Sequence, residues 1–152
     1  MDWAAPLGTA IGAVAGVSSA VVVERARWSL GRDDRRNDQR KATYAAFLGA
    51  LARAVEQIWN AARQQQTDRP EAALSALRDH GVQETRFELA LSAPADVARQ
   101  AEVVAAKLVS LREAVADGAS WDGEAYKNAW DDYYKSREEM VRSMRSSLGA
   151  HD

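Results

Sequence analysis

The sequence predicts an all-α protein in which an N-terminal transmembrane helix precedes an antiparallel up-down bundle of about four helices, the first of them long. Three observations favour this class. An uncharged stretch near the N-terminus is long enough to cross a bilayer, apolar residues beyond it recur at steps of three and four, and proline occurs only three times. The predicted segments are an anchor (1–28), a basic juxtamembrane segment (29–41) and a cytoplasmic helical bundle (42–152).

The uncharged stretch from Trp3 to Val23 is predicted to be a membrane anchor. It supplies the about 20 residues that one helix needs to cross roughly 30 Å of hydrocarbon. Trp3 and Trp28 would lie about 37 Å apart along such a helix, so both indoles fall near the two membrane interfaces. The alternative is an amphipathic or packed helix of a soluble protein.

Basic residues lie on only one side of this stretch. None precedes it, whereas Arg25, Arg27 and five further basic side chains follow it before residue 42. The positive-inside tendency then places the N-terminus outside and everything after Trp28 in the cytoplasm, which predicts a single-pass protein of the cell membrane. Membrane lipid is the expected partner of the basic segment, whose arginines suit anionic headgroups.

A nucleic-acid patch is the alternative interpretation of the basic segment. Three aspartates dilute the segment, and residues 42–152 carry four more acidic than basic side chains. Because an acidic domain repels phosphate, we expect no nucleic-acid partner.

Small residues recur every fourth position within the predicted anchor, at Gly8, Gly12, Gly16 and Ala20. They line one face of a helix and allow two backbones to approach closely in lipid. The pattern predicts self-association through the N-terminal helix. Chance spacing in a stretch rich in Ala and Gly is the alternative.

The first helix of the bundle continues from the anchor or restarts near Asp34. Its apolar residues recur at helical spacing, namely Tyr44, Phe47, Leu48, Leu51, Val55, Ile58, Trp59 and Ala62. A polar break at 64–68 follows, and Pro70 suits the first turn of a second helix capped by Thr67 or Asp68.

Gly81 is expected to interrupt the second helix. Beyond it, Phe87, Leu89 and Leu91 alternate with Arg86, Glu88 and Ala90, a pattern that a short strand would also show. We predict helix, because a single strand without a partner cannot satisfy its backbone.

Two further helices complete the bundle. Ser92 and Pro94 mark the start of the first, which Gly118 ends, while Asp122 is predicted to cap the last helix and Gly149 to close it. Their apolar stripes are Val97, Ala101, Val104, Leu108, Leu111 and Val115, and then Tyr126, Trp130, Tyr133, Met140, Met144 and Leu148.

Side chains suited to catalysis or metal binding are few. His80 and His151 are the only histidines and cysteine is absent, so no zinc site can be assembled from these ligands. Glu84 and Glu88 share a helix face, but a di-iron bundle also needs Glu-x-x-His motifs that this sequence lacks. We therefore assign no catalytic, cofactor-binding or metal-binding residue, and we expect no cofactor and no enzyme activity.

Aromatic residues cluster towards the C-terminus, at Trp121, Tyr126, Trp130, Tyr133 and Tyr134. Exposed aromatic side chains commonly anchor interfaces, yet the same spacing is typical of a packed helix. We expect Trp130 and Tyr133 in the core. For Trp121 and Tyr134 the core and a surface for a protein partner are both open, and the exposure of the two side chains decides between them.

Four short sequences carry a resemblance to known proteins: MDW before the uncharged stretch, ERARW after it, YAAFLGAL in the first long helix and ELALSAPADV in the middle of the chain. With these pieces the chain resembles uncharacterised small actinobacterial single-span membrane proteins that have a cytoplasmic helical domain. The resemblance covers most of the chain, and what it implies is the architecture.

The function expected from these observations is that of a membrane-tethered interaction or scaffold module. One alternative is a soluble helical bundle whose apolar N-terminal helix packs on itself or on a partner. A second alternative is a small enzyme that binds a ligand or a metal ion, which would need convergent carboxylates in a buried pocket.

Overall fold

The computed structural model describes the backbone of residues 5–64 and 68–149, and the side chains of residues 34–64 and 68–149. In these ranges the chain is an all-α helical bundle without a strand, which confirms the predicted class. The helices are α1 (Ala5–Arg63), α2 (Arg69–Asp79), α3 (Val82–Ser92), α4 (Ala95–Ala116) and α5 (Glu124–Ser147). The segment around Leu89 is therefore helical, as predicted. The chain forms two compact units, Met1–Gln39 and Arg40–Asp152.

The predicted anchor falls in the first unit. The residues predicted to lie at the membrane interfaces or in the helix–helix contact fall outside the described side chains, namely Trp3, Gly8, Gly12, Gly16, Ala20, Arg25, Arg27 and Trp28. Among the residues that the structure does describe, no helix combines the length and the apolarity needed to cross a membrane.

The core of the second unit centres on α4. The whole predicted stripe of this helix is buried, and α4 packs against α2, α3 and α5. From α1 the core receives Tyr44, Phe47, Leu51 and Ile58, and from α5 it receives Tyr126, Tyr133, Met140 and Met144. Steps of three and four therefore identified most of the buried faces of these three helices. Trp59 is an exception: the spacing places it on the apolar face of α1, but it is 37% exposed and the Arg63 guanidinium lies 4.5 Å from the centre of its ring.

Polar contacts join the helices at the edges of this core. The Tyr44 hydroxyl lies 2.9 Å from the Ser147 hydroxyl, which links α1 to α5. Because Ser147 donates its own proton to the Met144 carbonyl, Tyr44 is the donor in this bond. The Lys107 ammonium lies 2.8 Å from the Asp132 carboxylate and links α4 to α5.

The helix ends follow the predicted turn residues with one correction. Pro70 lies in the first turn of α2, and Gly118 follows α4 with a φ of 108°. The prediction that Asp122 caps the last helix is wrong, because Gly123 is the residue that precedes α5. Asp122 instead accepts a hydrogen bond from the Ser120 hydroxyl, which holds the pKa of the Asp122 carboxyl below its usual value.

Gly81 separates α2 from α3. Its backbone is left-handed, with φ 64° and ψ 34°, a conformation that costs an L-residue with a side chain about 1–2 kcal/mol. The Thr85 hydroxyl donates to the Gly81 carbonyl at 2.9 Å and so fixes the start of α3. Gly81 therefore sets a new direction for α3, where a continuous helix would keep the direction of α2.

Gly81→Ala is expected to lower the free energy of unfolding of the full chain by about 1 kcal/mol. The loss is conformational and not steric. A Cβ at position 81 would lie 3.6 Å from its nearest neighbour, a carboxylate oxygen of Glu84, which is an ordinary van der Waals distance. Gly49→Ala is the matched control, since Gly49 lies inside α1 and alanine there should add up to about 1 kcal/mol. Urea unfolding followed by circular dichroism measures both, and equal effects of the two variants would contradict this account of Gly81.

Candidate functional site

The polar residues considered for catalysis do not assemble into a centre. Within residues 34–64 and 68–149, no three side chains of His, Cys, Asp or Glu are grouped closely enough to hold a metal ion. His80 Nε2 donates to the Gln57 amide oxygen at 2.8 Å, and Glu84 and Glu88 are exposed on α3. His151 lies outside the described residues.

A polar contact between α1 and α2 surrounds Gln57. Its amide nitrogen lies 2.8 Å from the Ala72 carbonyl, 3.0 Å from the Ser75 hydroxyl and 3.2 Å from the Asp79 carboxylate. Hydrogen bonds from Ser75 and then from Gln57 hold the pKa of the Asp79 carboxyl below its usual value. Since one side chain satisfies several groups of α2, Gln57 fixes how α2 lies on α1.

Beside Gln57 lies an open groove of about 500 Å³. Arg53, Glu56 and Asn60 of α1 line it, together with Gln64, which follows the end of this helix. With Gln57 and His80, which also line it, the groove offers a guanidinium, a carboxylate, three carboxamides and an imidazole. These groups could contact a polar ligand through charge and hydrogen bonds.

The two residues considered for a partner surface are both exposed. Trp121 is 51% exposed and Tyr134 is 46% exposed. The structure does not bring them together, because Trp121 precedes α5 whereas Tyr134 lies roughly 15 Å along its axis from the first residue, Glu124. Each is a separate aromatic side chain on the surface, so they do not form one patch.

The other aromatic residues of this region belong to the core. Tyr126 and Tyr133 are buried, and Trp130 packs against the core while half-buried. The rings of Tyr126 and Trp130 stack with their centroids 6.1 Å apart and an angle of 16° between their planes. Burial raises the pKa of Tyr126 and that of Tyr133 to about 12.

A surface on α3 stands out from the rest of the bundle. Phe87 is 60% exposed and Leu91 is 90% exposed. They are four positions apart on a helix, so the two side chains are neighbours on one face. Burying both against a partner would contribute roughly 1.5–3 kcal/mol for each side chain. We call Glu84, Phe87, Glu88 and Leu91 the α3 face.

The exposure of the α3 face follows from how α3 meets the core. Only Val82 and Leu89 of this helix are buried, and they are seven positions apart on one narrow stripe. Phe87 and Leu91 are each two positions from Leu89, so they point away from that stripe in a helix. In the sequence, the alternation of Phe87, Leu89 and Leu91 indicates an exposed apolar face. A helix turns by about 100° per residue, so it cannot bury every member of an alternating set on one side.

Charge on the α3 face is negative. Arg86, the basic residue of α3, pairs with Glu102 of α4, and its guanidinium lies 4.8 Å from the centre of the Phe87 ring. Neither Glu84 nor Glu88 forms an ion pair in the described part of the chain. The α3 face therefore combines two exposed apolar side chains with two carboxylates that no basic side chain of residues 34–64 and 68–149 pairs with.

Comparison with known proteins adds no assignment, since no family model, curated protein or solved structure matches the chain. The resemblance to actinobacterial single-span proteins stays a prediction.

Tyr126→Phe is expected to raise the free energy of unfolding at neutral pH by about 1 kcal/mol, because the buried Tyr126 hydroxyl has no hydrogen-bond partner among the described residues. Tyr44→Phe is the matched control and should lower it by about 1 kcal/mol, because it removes the bond to Ser147.

The advantage of Tyr126→Phe should also increase above pH 10. Burial raises the pKa of Tyr126 to about 12 in the folded chain, from about 10 in the unfolded chain. The contribution of the neutral hydroxyl to the free energy of unfolding is therefore complete below pH 10 and is lost as the pH rises towards 12. Urea titrations at pH 7 and pH 11 measure this. A destabilised Tyr126→Phe variant would show that its hydroxyl does have a partner.

Proposed function

We propose that the chain is a membrane-tethered helical interaction module that binds a protein partner through the α3 face. The observation that carries the proposal is the exposure of Phe87 and Leu91, at 60% and 90%, in a domain that buries most of its other large apolar side chains. Large apolar groups grouped on a surface mark interaction sites more often than isolated ones do. Trp121 and Tyr134 remain candidates for further contacts with a partner.

The tether is proposed from the sequence alone. The length of the uncharged stretch, the flanking Trp3 and Trp28, and the basic residues that follow only on the C-terminal side support a single span. In this arrangement the N-terminus is outside and the helical domain is in the cytoplasm. The face formed by Gly8, Gly12, Gly16 and Ala20 supports pairing of two such spans.

Within the domain we propose an antiparallel up-down arrangement in which α2 and α3 together occupy the second position. The short connections between successive helices support it, as do the pairing of Arg86 with Glu102 and of Lys107 with Asp132. Because the second position is divided into α2 and α3, the α3 face can stay exposed, whereas a continuous and fully packed helix would bury its apolar side chains. No catalytic step is part of the proposal.

Photo-crosslinking in the cell tests this function. A photoreactive phenylalanine analogue replaces Leu91 in the full chain, and the same analogue replaces Leu74 in a control, since Leu74 is also half-exposed but lies on α2. After irradiation, membranes are washed with alkaline carbonate and the adducts are analysed by mass spectrometry.

The proposal predicts that the chain stays in the washed membranes and that position 91 gives a specific protein adduct that position 74 does not give. Recovery of the chain in the carbonate-soluble fraction would overturn the tether in favour of the soluble bundle. Equal adduct patterns at positions 91 and 74 would overturn the docking role of α3.

A further inference from the structure

We infer that the partner of the α3 face is a basic amphipathic helix, meaning a helix with an apolar stripe flanked by lysine or arginine. This inference rests on the proposed function and adds the chemistry of the partner. It follows from the spacing of the four side chains, from their charge and from the occupants that this charge disfavours.

The spacing favours a helical partner. Residues 84 and 88, and residues 87 and 91, are each four positions apart, and at about 100° per residue all four lie within an arc of about 100° on one face of α3. The two apolar members and the two acidic members each repeat at four positions, which is about 6 Å along the axis at 1.5 Å per residue. A second helix repeats its own side chains at the same interval, and helix recognition commonly uses anchors with this spacing.

The charge favours a basic partner. Arg86 is held by Glu102 and lies over the Phe87 ring, so it does not compensate the carboxylates of Glu84 and Glu88. Glu84 lies in the first turn of α3, where the helix dipole favours an acidic residue, but Glu88 lies beyond that turn. Glu88 beside Leu91 is therefore the stronger indication that the face is complementary to a cation.

Two other occupants fit this face less well. An anionic membrane surface would be repelled by Glu84 and Glu88, although Phe87 and Leu91 alone would suit lipid. A second copy of the chain docking with the same face would bring its own Glu84 and Glu88 close to the first pair, and facing carboxylates repel each other. A basic helix satisfies both the apolar and the acidic residues.

Peptide binding to the purified full chain in detergent tests the inference. The probe is a fluorescent 18-residue peptide of leucine and lysine in amphipathic helical register, and the control peptide has glutamate in place of lysine. A third peptide has the sequence of residues 25–41, the basic segment of this chain. Fluorescence anisotropy gives the Kd of each peptide at low and at high salt.

Three variants are compared with the unaltered chain. Phe87→Ala with Leu91→Ala removes the apolar groups, and Glu88→Gln removes one charge while keeping the shape of the side chain. The matched control is Leu74→Ala with Glu71→Gln, which removes exposed groups of the same kinds from α2.

The inference predicts that the lysine peptide binds more tightly than the glutamate peptide. Glu88→Gln should weaken its binding about two- to fivefold at low salt, the size of one exposed ion pair, and this difference should fall at 1 M salt. The double alanine variant should lose binding, and the α2 control should not change.

The remaining outcomes separate the two proposals. Equal binding of the lysine and glutamate peptides, lost in the double alanine variant, would overturn the basic partner but keep the α3 face as a docking site. Binding that the double alanine variant does not reduce would overturn both. Tighter binding of the 25–41 peptide than of the lysine peptide would replace a separate partner by this chain's own basic segment.

Discussion

Burial of the apolar stripe of α4 is the interaction on which the helical domain depends. Val97, Val104, Leu108, Leu111 and Val115 are all fully buried, and three other helices pack against α4. Each such side chain contributes roughly 1.5–3 kcal/mol when it leaves water. The other helices therefore pack with one face on this stripe and leave their opposite faces in solvent. The α3 face is one of these solvent-exposed faces, and it differs from the others in carrying two large apolar side chains four positions apart.

The exposure of α3 is linked to the left-handed residue at Gly81. The chain enters α3 through this residue, and of α3 only Val82 and Leu89 are buried. A helix attached through so few buried side chains has a wide free face, and Phe87 and Leu91 occupy it. The physical cost of leaving them in water is offset if a partner covers them. The side chains that the packing of α3 leaves exposed are thus the ones proposed to contact the partner.

Much of the fold could be predicted because α1, α4 and α5 have regular apolar periods. Leu108 and Met140 could be placed in the core from spacing alone, and Pro70 and Gly118 marked helix ends through their backbone preferences.

The exposed α3 face was not predicted, because an alternating pattern does not say which member of the set a helix will bury. Asp122 was misplaced because the Ser120 hydroxyl competes for its carboxylate. The sequence pointed to Trp121 and Tyr134 as a surface but could not show that they lie apart.

If a partner covers the α3 face in the cell, a thiol at position 91 is shielded there. The chain has no cysteine, so Leu91→Cys and Leu74→Cys each introduce a single reactive thiol. The measurement is the rate of maleimide labelling at each position in intact cells, relative to the rate in the purified chain. The account predicts a slower relative rate at position 91 than at position 74, because the partner shields α3. Equal relative rates at the two positions would contradict it.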